Sequence, residues 1–451
     1  MGTALDSEVL RDVFGTEEAR TALNGRALVQ GWLDAERALA LAEAEVGLIP
    51  EAAAGRISEE TDAAMYDLDE LRAGVAASQH PLVPLLRALV ARCGDAGRYV
   101  HWGATTQDVM DTGAVLQIRA ALGPIQRDLR RAGVAAGELA RRHAATPMAG
   151  RTHGQHAVPI TFGLKAASWT DELVRAEERL AGARATVLTG QLAGAAGTLA
   201  SLGADGPAVR SAYCRLLGLA EPDVSWHATR DRIRDLLHAL VGIGAAAERI
   251  AAEIVRLQAT EVNEAREPHT DGFVGSSTMP QKRNPMVCEY VIAAARLLRG
   301  PASVVDAASA HAHERDMAAW ATEWLAVPEA LVLTAGLLDK LARVLEGLEV
   351  DAGRMLANLE LTEGAIMAEA VMMALAPSIG HEQAHAAVSA ASRRAALSGS
   401  DLRAALLADP ELAPSFQEGE LDQLLDPAQY LGLAVGAARS MGYEPTAAEL
   451  R

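Results

Sequence analysis

The sequence predicts an all-α protein of three helical domains built around a bundle of long helices, and three observations carry that expectation. Apolar residues recur at three- and four-residue steps along almost the whole 451-residue chain, the period of helices that bury one face. Half of the residues are hydrophobic yet only 4% are aromatic, so much of the apolar content is Ala and Leu, the composition of long packed helices. The stretch from Asp223 to Glu267 has no proline, and in it Leu236, Leu240, Ile243, Ile250, Ile254 and Leu257 repeat at three-, four- and seven-residue steps. That pattern predicts a helix of roughly 30 or more residues, about 50 Å long at about 1.5 Å per residue. A helix of that length belongs to a bundle.

Taken in order, residues 1–105 form an N-terminal domain of short helices broken by Gly47, Pro50, Pro81 and Gly94, with Leu28, Trp32, Ala35 and Leu39 on one amphipathic face. Residues 106–350 form the central bundle, with further helices expected near 108–143, 160–188, 286–308 and 319–347. Gly194-Ala195-Ala196-Gly197 within it reads as a flexible loop. From 351 to 451 shorter helices return, punctuated by Pro377, Gly380, Gly399 and Pro410, as a C-terminal domain.

Charge and cysteine content narrow the function. A formal net charge of −18 repels phosphate, which argues against nucleic-acid and membrane-surface partners. An anion site in such a chain must concentrate its cations locally. Cys93, Cys214 and Cys288 are too few and too scattered for a disulfide framework or a metal cluster, which suits a reducing cytoplasm. Residues 1–6 lack a basic region followed by an apolar run, and no stretch of about eighteen apolar residues occurs, so a soluble protein is expected.

The chemistry concentrates in Gly275-Ser276-Ser277-Thr278-Met279-Pro280-Gln281-Lys282-Arg283-Asn284-Pro285. Two prolines and a glycine forbid a continuous helix or central strand there, while hydroxyls, two cations and an amide suit an anion. Two further segments stand out, His101-Trp102-Gly103-Ala104-Thr105-Thr106-Gln107-Asp108 and Gly150-Arg151-Thr152-His153-Gly154-Gln155-His156-Ala157-Val158-Pro159. In order and spacing the three resemble the signature regions of the fumarase/aspartase superfamily of lyases. That resemblance implies a three-domain fold whose central helices pool into a twenty-helix core in a homotetramer, with each site assembled from different subunits. It also implies β-elimination from a small dicarboxylate with neither metal nor organic cofactor.

The reaction removes a weakly acidic C–H proton and passes through a dianionic aci-carboxylate, which needs preorganised donors. By the resemblance Ser276 takes the proton, and a serine hydroxyl must then act as an alkoxide or with strong assistance. Lys282 and Asn284 hold the positions that bind the substrate carboxylate. Thr105, Thr106 and Asp108 would line the carboxylate pocket, with Thr152, His153 and Gln155 opposite. For Asp108 the alternative is a helix N-terminal charge stabilised by the dipole.

Within the superfamily the overall layout, including residues 226–232, 311–315 and 425–432, looks most like the bacterial 3-carboxy-cis,cis-muconate cycloisomerases. Those enzymes commonly lack the histidine at His153 and tend to carry a small residue at Glu289. Glu289 lies where fumarate-forming enzymes place the carboxylate partner of that histidine, a pairing that raises imidazole basicity and suits protonation of a leaving group. His80 aligns with a histidine that adenylosuccinate lyases use beside the substrate. Trp320 and Trp324, however, stand where those lyases carry a serine and an arginine for the nucleotide phosphate, so charge-assisted donors are missing and a nucleotide is disfavoured. The expectation is therefore a C–N lyase that releases fumarate from an N-substituted aspartate or nitrosuccinate. Arg230, Arg232 and Arg315 are expected as extra carboxylate binders, or else as structural ion pairs. The alternatives are a cycloisomerase, an adenylosuccinate lyase, and a non-catalytic structural protein on the same fold, the last of which predicts eroded signatures.

Overall fold

The computed structural model describes Leu5, residues 7–269, Thr278, Met279 and residues 281–443. Helix α1 (Gly25–Val46) begins where Asn24 Oδ1 accepts the Ala27 amide at 2.9 Å and ends at Gly47, whose φ of 85° takes the left-handed turn that glycine allows. After α2 (Val83–Cys93) comes α3 (Thr106–Arg142), 37 residues or about 55 Å. Strands β1 (Pro147–Thr152) and β2 (Gln155–Thr161) then form an antiparallel hairpin, and α4 (Phe162–Val187) runs back along α3. The remaining long elements are α5 (Asp231–Leu257), α6 (Met286–Leu297), α7 (Arg299–Ala308) and α8 (Met317–Glu346). Strand β3 (Ala265–Arg266) pairs with β4 (Glu349–Val350), and α9 (Ala352–Glu360) packs against β1.

Ion pairs fix the directions. Arg230, at the start of α5, bonds Asp111 in the second turn of α3 and Glu323 in the second turn of α8, while Arg131 and Glu346 meet at 2.8 Å near the other ends. The three longest helices are thus parallel. Helix α4 is antiparallel to them, joined to α5 by Lys165–Glu253 at 2.7 Å, and α6 and α7 run back along α5 through Arg296–Glu248 at 2.8 Å and His238–Asp306 at 2.9 Å. Between them lies one apolar core that includes Leu122, Leu129, Trp169, Leu173, Leu240 and Leu338.

The all-α class therefore holds, with two small two-stranded sheets added at turns. The proline-free stretch from 223 to 267 is helical only over Asp231–Leu257, because residues 226–230 are tied to α3 and Asn263, at φ 53°, turns the chain into β3. The expected helix over 286–308 is two helices that meet at Leu298. The N-terminal core is not closed at residue 105: Leu192, Val209, Tyr213 and Trp226 pack with Trp32, Leu39 and Leu85. A separate C-terminal core gathers Val371, Leu375, Val388 and Leu402.

Candidate active site

At the N-terminal end of the bundle the first signature is fastened by buried polar bonds. Asp108 is fully buried; its Oδ2 accepts the Thr105 amide at 3.0 Å and the Gly194 amide at 2.9 Å, and its Oδ1 accepts the Ala193 amide at 3.0 Å and meets His227 Nε2 at 2.7 Å. The carboxylate expected in the substrate pocket is therefore spent on its own helix and on the Gly194 loop. That loop, expected to be flexible, is pinned. Arg230 corrects in the same way: it is buried, bidentate to Asp111 at 2.8 and 3.0 Å and bonded to Glu323 at 2.9 Å, so no fork remains for a substrate carboxylate. Arg232 is half-buried, with no partner for its Nε among the described residues.

Other groups at this end remain presented. His80 Nδ1 accepts the Val83 amide at 3.3 Å at the head of α2, which leaves the ring proton on Nε2, 3.4 Å from Thr106 Oγ1. Arg315 is exposed and aimed by Gln107 Oε1 at 2.8 Å and the Ala195 carbonyl at 3.1 Å. At the head of the signature, His101 Nδ1 contacts the buried Glu36 at 2.6 Å; burial opposes its charge, but Glu36 raises the imidazole above its ordinary value. Glu43, two turns further along α1, is buried with neither oxygen hydrogen-bonded among the described residues. Burial, reinforced by Glu36, pushes its carboxyl up to about 9.

The second signature and the described residues of the third sit at the opposite end. Thr152 and Gln155 pair across a two-residue turn in which His153 (φ 52°) and Gly154 (φ 76°) are both left-handed, the hairpin geometry that matches strand twist. Thr152, His153 and Gln155 are exposed at this tip. At its base Arg151 forks onto the buried Glu264 at 2.6 and 2.8 Å, and Asn358 of α9 bonds the same carboxylate at 2.7 Å. A side chain at Gly150 would meet the Val158 carbonyl at 2.7 Å, so the bulge in β1 needs glycine.

Ser276 lies outside the described residues. Lys282 is exposed, its amide bonded to the Met279 carbonyl at 3.0 Å, and Asn284 accepts the Met286 amide at 2.9 Å just ahead of α6. Arg283, by contrast, is held by Glu349 at 2.9 and 3.0 Å. The buried Glu267 accepts the Val287 amide at 3.3 Å and the Cys288 amide, capping α6; burial raises its carboxyl above the ordinary range against those two donors. Glu289, exposed in the first turn of α6, makes no ion pair with His153 within the chain. The expected dyad is not formed by one copy.

Helix α5 measures the gap between these groups. His227 and Arg230 place the first signature at its start, whereas at its end Glu264 bonds the Leu257 carbonyl and Gln258 bonds the Arg283 carbonyl at 2.8 Å. Its 27 residues separate the two ends by about 40 Å. No small substrate spans that distance.

Residues 14–300 match the family described as Lyase, and residues 364–439 match the one described as Adenylosuccinate lyase C-terminus. The chain belongs to the fumarase/aspartase superfamily. It is 42% identical to a 3-carboxy-cis,cis-muconate cycloisomerase of Pseudomonas aeruginosa over 96% of both chains. It is 37% identical to an N-acetyl-S-(2-succino)cysteine lyase of Dickeya dadantii over 95% of both. A nitrosuccinate lyase of Streptomyces davaonensis is 39% identical over 97% of this chain and 94% of its own. Among solved structures, the 3-carboxy-cis,cis-muconate lactonizing enzyme from Pseudomonas putida superposes with a TM-score of 0.92 at 38% identity over 96% of this chain and 97% of that one.

Glu36, Glu43, Glu264 and Glu267 escaped the sequence reading. The signal for the first two was present, since residues 32, 36, 39 and 43 share one helix face and two of them are carboxylates on an apolar stripe. Nothing local marks Glu264 or Glu267.

Proposed function

We propose that this member of the superfamily is a lyase that eliminates a β-substituent from a non-nucleotide substituted succinate and releases fumarate, with C–N cleavage favoured. The observation that carries the reading is the presentation of His153: an imidazole on the tip of a hairpin braced by Arg151, Glu264 and Asn358, with an exposed carboxylate, Glu289, at the same end of the bundle. An acid–base pair of this kind protonates or relays a proton to a leaving group. A cycloisomerase releases nothing and has no such need.

In this reading a site combines Ser276, Lys282 and Asn284 of one copy with Thr152, His153 and Gln155 and with His80, Thr105, Thr106 and Arg315 of others. The roughly 40 Å gap within a chain supports that assembly, and a homotetramer supplies it. The three cysteines are free and buried, which suits a reducing cytoplasm. The cycloisomerase reading has its own support in the 42% identity to the Pseudomonas aeruginosa enzyme.

One assay separates the two. Incubation with N-substituted aspartates, nitrosuccinate and S-(2-succino) thioethers, followed by ultraviolet absorbance, should show fumarate appearing. With 3-carboxy-cis,cis-muconate no lactone should form. Lactone without fumarate from any succinate would reverse the assignment.

A further inference from the structure

Four of the six tryptophans, Trp32, Trp226, Trp320 and Trp324, face a single cavity of about 330 Å³ beneath the start of α3. Volumes of about 300 Å³ and above are the scale of small-molecule sites. Val75, Pro81 and Trp324 form its rim, and the ion cluster of Asp111, Arg230 and Glu323 forms its floor. Its charged groups are already engaged with one another, whereas Trp32 Nε1 is unpartnered among the described residues. Besides the bonds from Arg230, Trp320 Nε1 donates to Asp111 Oδ1 at 2.9 Å, and Gln117 on the wall donates to the Ala22 carbonyl at 3.2 Å.

Two carboxylates against one guanidinium leave this wall with a net negative charge. The aromatic lining adds to it: Trp320 and Trp324 meet edge to face at 4.9 Å, and ring faces carry negative potential that attracts cations. Arg230 does not offset this for a ligand, because its guanidinium lies 4.8 Å from the centre of the Trp226 ring and is fully paired. A carboxylate, phosphate or nitrite is repelled here by that charge, and Trp32 Nε1, a buried indole N–H with no partner among the described residues, offers it only a neutral donor. An alkyl or aryl ammonium group is welcomed.

The cavity also adjoins the first signature. Pro81 on its rim follows His80, which contacts Thr106 at 3.4 Å, and Met110 on its wall lies one turn, about 6 Å, beyond Thr106 on the same face of α3. We propose that this cavity receives the amine half of the substrate, an N-alkyl- or N-arylalkylaspartate, while the succinyl carboxylates stay outside toward His80 and Thr106. The inference rests on the lyase reading above and names its substrate class. In the step, the base takes the Cβ proton, the C–H electron pair becomes the Cα=Cβ bond of fumarate, and the C–N bond breaks with its pair passing to nitrogen. The substituted ammonium thereby leaves as the free amine.

The test has a binding arm and a turnover arm on the full-length protein. Benzylamine should quench tryptophan fluorescence saturably whereas inorganic phosphate should not, and kcat/KM for fumarate release should be at least about tenfold higher for N-benzylaspartate than for N-methylaspartate, about 1.4 kcal/mol. Ala114→Leu, which pushes carbons into the cavity from α3, should weaken benzylamine binding by about tenfold or more and erase that preference. If Ala114→Leu does not fold by circular dichroism, Trp324→Ala at the exposed rim should lower affinity and part of the quenching. Fumarate from small substrates without benzylamine binding, or binding unchanged in the folded variants, overturns the cavity assignment and spares the lyase reading. Benzylamine binding with no fumarate from any substituted succinate supports the cavity and overturns the lyase reading instead.

Discussion

The two ends of the central bundle are built on opposite principles. At the N-terminal end Asp108 is buried and paired with His227, and Arg230 is buried and paired with Asp111 and Glu323, so the charges that fasten that end are satisfied within the chain. At the far end Thr152, His153, Gln155, Lys282 and Glu289 stand exposed, the hairpin among them braced at its base by Arg151 on Glu264. The difference separates two kinds of polar group: those that locate helices are consumed within the chain, and those of the hairpin tip and the start of α6 are left exposed. It also explains why charged residues in a signature are poor guides to substrate binding, since a buried charge must be paired and is then unavailable.

The sharpest way to break this comparison is to mix inactive chains. Ser276→Ala should lose at least about a thousandfold in turnover and His153→Ala roughly 10²–10⁴-fold. If the ends of different copies combine, refolding the two variants together restores part of the activity, and sedimentation gives about four times 47.3 kDa. An active monomer would end the argument.

A second effect falls on stability. Arg230→Met strands two buried carboxylates and should cost about 3–5 kcal/mol in denaturant unfolding. Arg283→Met, whose partner Glu349 is partly exposed at the other end, should cost no more than about 1 kcal/mol. Equal losses would mean that the two ends are not built differently.

The smallest effect is a pH dependence at Glu43. Its carboxyl keeps its proton up to about 9 when folded and releases it above the ordinary 4.5 when unfolded. The unfolded state therefore binds fewer protons in that window, so the contribution is full below about pH 4.5 and is lost progressively as pH rises toward about 9. Glu43→Gln should flatten the decline in melting temperature between about pH 5 and about pH 9 by a few degrees. An unchanged slope would show that Glu43 ionises freely in the folded chain.

Much of this was legible in the chain itself. Helical period located α3, α4 and α8 to within about two residues at each end, because a long amphipathic face outvotes local noise. The ends of α5 were not legible, since they are set by ties that cross more than a hundred residues, such as His227 to Asp108 and Arg230 to Asp111. For the same reason the signatures identified the superfamily but could not say which of their polar residues point inward. Asp108 and Thr106 are two positions apart on one helix start, and only packing decides that the first is buried and the second is open to His80.

One consequence of the hairpin reaches beyond the reaction. A left-handed first turn position favours asparagine or glycine, and other L-residues there cost roughly 1–2 kcal/mol. His153 stands in that position with φ 52°. Random drift toward a more stable fold would therefore replace it first by asparagine, giving a sturdier hairpin without the imidazole. Libraries selected for thermostability alone should be depleted of imidazole at this tip.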